Sequence, residues 1–180
     1  MRKVVHKVFF IWSFDKEEEW LNEMAAQGFA LVSVGFVRYE FELCNPGEYN
    51  IRLEMLNNSV SHPESQSYIR FLEDTGVEHI GTLFRWVYYR KRANGAPFDL
   101  FSDIDSRIRH LNRLLIIPAI LGFMNLINAI NTTQRCFLGG GDYMLWPAVL
   151  TWACSLLMVY GYIRLLGKKR KLKKERMLHE

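Results

Sequence analysis

Two apolar runs in the second half of the chain limit its fold more than any other feature. Leu114–Ile130 reads LLIIPAILGFMNLINAI, seventeen residues without a charge, and Tyr143–Leu166 is a longer run broken only by Arg164. A helix needs ~20 apolar residues to cross ~30 Å of hydrocarbon, with about 17 as the working minimum. The second run meets that length comfortably. The first stands at the limit and carries Asn125 and Asn128, amides that inside a bilayer usually bond to a neighbouring helix. Ala148, Thr151 and Ser155 give the second run a small-residue stripe for such contact.

The flanks give the pair a direction. Arg107, Arg109 and Arg113 precede the first run, whereas Lys168, Lys169, Arg170, Lys171, Lys173, Lys174 and Arg176 follow the second. The segment between carries only Arg135. Positive flanks stay on the cytoplasmic side. The expectation is therefore a two-span membrane protein with both termini cytoplasmic. Its spans are 114–131 and 143–166, its external loop 132–142 with a Gly139–Gly141 tip, and its basic tail 167–180. Those seven tail cations are candidate contacts for anionic lipid, at about 1 kcal/mol per charge near the surface, and they also serve as topology determinants.

Charge divides the chain the same way. Residues 1–100 hold 11 basic and 14 acidic side chains, a net −3, while the remaining 80 hold 12 and 5, a net +7. The basic pI thus belongs to the membrane part, and nucleic acid is not an expected partner of the acidic N-terminal part. Cys44, Cys136 and Cys154 are isolated, which suggests neither a metal site nor a disulfide framework, and no cofactor is expected. Lys7 interrupts the first apolar stretch and no small-residue cleavage site follows, so that stretch does not read as a signal peptide.

Within residues 1–96 periodicity outlines an α+β domain. Val4–Trp12 has strand composition. Asp15 with Glu18 resembles a capping box, and Glu17 and Glu19 favour the positive end of the helix that follows. That helix presents Trp20, Leu21, Met24 and Ala25 on one face until Gly28. Phe29–Leu43 reads as one long strand, Asn45–Glu48 as a type II turn, and Tyr49–Leu56 as the hairpin partner. Ser61, Pro63 and Glu64 start a second helix that ends at Gly76, and Val77–Lys91 reads as a last strand. The order β-α-β-β-α-β predicts a ferredoxin-like domain: one four-stranded antiparallel sheet with both helices on one face.

Such a sheet leaves an apolar face uncovered. Phe84, Trp86 and Tyr88 on the last strand are the candidate interaction set for a partner protein, an apolar ligand or a second copy of the chain. Arg38, Arg52, Glu54 and Arg85 form a candidate polar strand cluster, for which cross-strand ion pairing is the default reading. Residues 97–113 read as an amphipathic juxtamembrane connector, with Ser102 as its cap. Among nucleophile elbows, zinc-binding helices and phosphate loops, no catalytic motif is present, and no catalytic or metal-ligating residue is assigned.

The segments FFIWSFDKEEEWLNEMAAQGFAL, PGEYNIRLEML, FLEDTGVEHIGTLFRWVYYRKR and PFDLFSDIDSRI together resemble the bacterial family of domain of unknown function 2812, over about residues 5–110. Phe29 stands where that family more often has Trp. The resemblance implies a bacterial membrane protein, often encoded beside PadR-like regulators, with no reaction, cofactor or catalytic residue to carry over. The expectation is a membrane-anchored regulatory or sensory binding module. The alternatives are an accessory subunit of a membrane complex and a membrane-surface enzyme.

Overall fold

The computed structural model describes residues 2–93, 95, 98–101, 104–138 and 145–179. It divides into two units, Met1–Ser102 and Asp103–Glu180. The first is α+β and the second is a pair of long apolar helices, in agreement with the class read from the sequence.

The strand arrangement differs from the expected one. After β1 (Arg2–His6), a short 3-10 turn (Ile11–Ser13) leads into α1 (Phe14–Ala26). The segment read as one long strand is a hairpin, β2 (Phe29–Gly35) and β3 (Arg38–Leu43), and the segment read as the last strand is a second hairpin, β5 (Glu78–Leu83) and β6 (Trp86–Arg92). Between them lie β4 (Tyr49–Met55) and α2 (Pro63–Asp74). Six strands form two antiparallel three-stranded sheets, ordered β1-β3-β2 and β4-β6-β5, in place of one four-stranded ferredoxin-like sheet. The Asn45–Glu48 turn forms, with Gly47 at φ +73° and the Glu48 amide donating to the Asn45 carbonyl at 3.0 Å. It hands the chain from the first sheet to the second, and β4 pairs with β6 rather than with β3. Two-residue turns at Phe36-Val37 and Phe84-Arg85 reverse the hidden hairpins, with Val37 and Phe84 at positive φ, where Gly or Asn is the usual signal.

The two halves are copies of one β-α-β-β unit, spaced by forty-eight residues. Gly28 and Gly76 follow their helices, and Gly47 and Gly95 follow their hairpins, all four at positive φ. Phe36 and Phe84 occupy the two hairpin tips. The bulges coincide as well: Val32 between Leu31 and Ser33, and Ile80 between His79 and Gly81. β2 and β5 lie side by side where the halves meet, and a side chain at Gly81 would press on Val34 at 3.1 Å.

Alternation along β6 explains why so much of it is apolar. Tyr88 joins a core made by Leu21, Met24 and Ala25 of α1 with Leu31, Phe41, Ile51 and Leu53. Val87 and Tyr89 point the other way, into a second core with Ile69 and Leu72 of α2 and with Phe98. The helices therefore cover opposite faces of the β4-β6-β5 sheet, and the Tyr88 face expected to stand bare is occupied by α1. Helix α1 also guards the outer edge of β4. The Asn22 side chain accepts from the Ile51 amide (2.8 Å) and donates to the Ile51 carbonyl (2.9 Å), while Glu18 accepts from the Leu53 amide (3.0 Å). Glu18 is thus spent on β4 and Arg52 rather than on a capping box, and α1 starts after Ser13 without a side-chain cap. Paired this way, the edge offers fewer free backbone groups to another strand.

In the second unit, α3 (Ile104–Phe137) and α4 (Leu145–His179) are both long and apolar enough to cross a membrane. The connector from Ile104 onward is continuous with α3, and α3 runs six residues past Asn131, where Thr132 and Thr133 bond back to the Asn128 and Ala129 carbonyls. Asn125 bridges the helices, donating to the Thr151 carbonyl (2.9 Å) and to Ser155 Oγ (3.0 Å). The Gly139–Gly141 tip, the start of the run at Tyr143 and the Ser102 cap lie outside the described residues. The basic tail is helical, and Arg176 within it pairs with Asp105 at 2.8 Å.

Candidate functional site

Helix α1 buries the face that repeats at Leu21, Met24 and Ala25. Counting back one turn from Leu21 places Glu17 on the same face, inside the first core rather than in solvent. Only 8% of Glu17 is exposed. Its Oε1 accepts two phenolic hydrogen bonds, from Tyr39 at 2.7 Å and from Tyr88 at 2.6 Å. The tyrosines come from β3 and β6, the central strands of the two sheets, so this carboxylate is the point at which both sheets meet α1.

Burial raises the Glu17 carboxyl above its ordinary value, with the Tyr88 and Tyr39 hydroxyls pulling the other way. Burial and the adjacent carboxylate push both phenols well above the usual tyrosine range, so both remain donors at neutral pH. The arrangement keeps an acidic group in an apolar setting, where it costs free energy and is retained only with hydrogen-bonding partners.

A cavity of about 180 Å³ opens beside Glu17. Its walls are Phe9, Phe10, Ile11 and Phe14 from the segment entering α1, then Tyr39, Leu83, Trp86 and Tyr88 from the sheets. Phe36, Val37 and Phe84, from the two equivalent hairpin tips, complete the lining, together with Lys7. Phe36 and Phe84 are 75% and 82% exposed, an unusual state for phenylalanine that here marks the mouth. The Lys7 ammonium rests on aromatic faces, 5.0 Å from the Phe9 ring centre and 4.4 Å from that of Trp20. Concave, largely aromatic walls with a few convergent polar groups are the usual make-up of a small-molecule site.

The structure gathers one of the two residue sets singled out within the α+β domain. Phe84, Trp86 and Tyr88 all line this cavity, although Tyr88 is buried and the three do not form a flat exposed face. Arg38, Arg52, Glu54 and Arg85 are dispersed. Arg38 pairs with Glu40 at 3.0 Å on the outer face of the first sheet. Arg52 pairs with Glu18 at 2.7 Å and donates to the Phe98 carbonyl. Glu54 accepts from Tyr68 of α2 at 2.9 Å, and Arg85 ties its hairpin tip to the Leu56 and Asn57 carbonyls.

Two residues that sequence reasoning passed over matter more. Glu17 carried a readable signal, its phase with Leu21 and Met24. Arg90 carried none. It bonds Glu78 at 2.7 Å, Glu42 at 3.4 Å and the Leu31 carbonyl at 3.0 Å, and its guanidinium lies 4.6 Å from the Tyr49 ring centre, so one side chain fastens β6 to the opposite sheet. Among the described residues, no group of three or more His, Cys, Asp or Glu side chains is placed to hold a metal ion.

No curated protein and no solved structure matches the chain. Residues 13–122 match a family described as "Protein of unknown function (DUF2812)". The match runs from the start of α1, through Glu17, Tyr39 and Tyr88, and into the first apolar helix. It covers more than half of the sequence, and the chain belongs to that family.

Proposed function

We propose that this protein is a membrane-anchored sensory binding module, whose α+β domain takes a small molecule in the aromatic cavity at Glu17. The observation that carries this reading is the cavity itself. It is built by both sheets and by the segment entering α1, it holds a buried carboxylate, and its mouth is framed by two exposed phenylalanines at equivalent hairpin tips. Burying an acid and exposing large apolar groups beside it both cost free energy, a combination that close packing alone does not call for. Occupancy would change the contacts of both sheets at once, which is what a sensing element requires.

The membrane placement rests on the two long apolar helices and on the distribution of basic residues around them. In this reading both termini are cytoplasmic and the segment around Gly139–Gly141 is external. A cytoplasm-dependent reporter after Glu180 should be active, and a cysteine placed at Gly140 in a Cys136→Ser background should be labelled by a membrane-impermeant reagent from outside. The reverse pattern overturns the orientation.

The binding reading is tested on the full chain extracted from native membranes in mild detergent. Native mass spectrometry should show a small-molecule adduct that is lost or strongly reduced in the Phe36→Ser/Phe84→Asn double variant. Both tips are exposed, so the variant should fold normally. An adduct of equal occupancy in the variant, or none in the parent, counts against the cavity as the site.

A further inference from the structure

The geometry points to a compact organic cation as the occupant of the Glu17 cavity: an amine or quaternary ammonium group attached to a single ring or similar apolar body. This inference rests on the cavity being the binding site, and adds the charge and size of what fits there.

Charge follows from the lining. Glu17 is the one acidic group among the described lining residues, and both tyrosine bonds fall on its Oε1, leaving Oε2 outside that pair. A carboxylate removed from water strengthens its attraction for a positive group, and it repels an anionic ligand by the same amount. The walls add to this, because the faces of Phe and Trp rings attract cations. The molecule already uses that attraction at this place, with the Lys7 ammonium set on Phe9 and Trp20. Size follows from the volume: about 180 Å³ here, against the ~150 Å³ apolar cavity that accommodates one benzene. One ring and a short amine fill it, and Phe36 and Phe84 would flank anything longer.

Lys7 lines the same cavity and opposes a cation. This gives the proposal a two-sided test, since Glu17 and Lys7 should act in opposite directions. The full chain is reconstituted in nanodiscs of phosphatidylcholine, a net-neutral lipid, and titrated at pH 7.5 with 2-phenylethylammonium, 2-phenylethanol and phenylacetate, with empty nanodiscs as the blank. The ammonium should bind about tenfold or more tighter than the alcohol, and phenylacetate weakest. Glu17→Gln should erase the advantage of the ammonium over the alcohol, and Lys7→Met should enlarge it. If the ammonium binds no better than the alcohol, or keeps its advantage in Glu17→Gln, the cation proposal is wrong. Loss of alcohol binding in Phe36→Ser/Phe84→Asn would then still support the cavity. Failure of the parent to bind any of the three probes overturns both readings.

Discussion

Tyr39 and Tyr88 stand on different sheets and donate to the same oxygen of Glu17, at 2.7 and 2.6 Å. The shared acceptor makes the two hydroxyls interdependent. Tyr39→Phe and Tyr88→Phe should each cost about 1.5–3 kcal/mol of domain stability at pH 7.5, the usual range for a bond to a charged group. In a Glu17→Gln background each should cost only about 1 kcal/mol, since the bond is then between neutral partners. Urea unfolding of the four members of each tyrosine–Glu17 cycle gives the coupling, and strictly additive losses would contradict it.

Glu17 itself should make stability depend on pH in a definite direction. Burial holds its folded-state value above the ordinary 4.5, so the folded chain binds this proton more tightly than the unfolded one. The contribution of Glu17 is therefore most favourable below about 4.5 and declines as pH rises through the raised folded value. Glu17→Gln removes that decline. It should melt higher than the parent at pH 7.5, with the gap closing toward pH 4. A gap that is unchanged or widens on acidification would contradict this assignment.

Arg90 is the fastener between the sheets, and a point charge cannot replace its planar fork. Arg90→Ala should lower stability by about 2 kcal/mol, and Arg90→Lys should recover no more than about half of that. Hydrogen exchange should quicken first in β2 and β5, where the halves meet.

The edge of β4 offers a separate check. Asn22→Ala removes both bonds to Ile51, and should cost about 2 kcal/mol and leave the Ile51 amide open to exchange. Asn22→Asp keeps the acceptor for that amide but loses the donor to the carbonyl, so it should fall between the two.

In the helix pair, Asn125→Leu adds hydrophobicity yet should weaken the association of α3 with α4 by about 0.6–2 kcal/mol, because both bonds to α4 are lost. Resistance of the pair to denaturing detergent reports the change. Gly122→Leu should weaken it too, since Met158 lies 3.2 Å from where a side chain would begin.

What could be read from the chain, and what could not, divides along physical lines. The helices were legible because Trp20, Leu21 and Met24, and likewise Ile69 and Leu72, keep helical phase and end at Gly28 and Gly76. The two hairpins were hidden because Phe36-Val37 and Phe84-Arg85 lack the glycine or asparagine that normally announces a tight turn. Each therefore merges with its flanking strands into one long run of strand composition. Counting two strands as one also concealed the repeat, although the forty-eight-residue spacing of glycines and of Phe36 and Phe84 was present throughout. Phe84, Trp86 and Tyr88 drew attention for their aromaticity, but their enclosure required the second hairpin. Glu17 reads as an ordinary acidic residue in a first helical turn until its phase with Leu21 and Met24 is followed back, and no local pattern says that this face meets two phenols.

The repeated unit carries a consequence for stoichiometry. The cavity at Glu17 takes the equivalent hairpin tips of both units, Phe36 and Phe84, into one site, whereas α2 lies on the opposite face of the β4-β6-β5 sheet. The position that is Glu17 in the first half is Ser65 in the second, and both are buried. Only the first half carries an acid at this position, so the two units differ at the point where chemistry would occur. A titration of this protein should therefore saturate at one molecule per chain, not two.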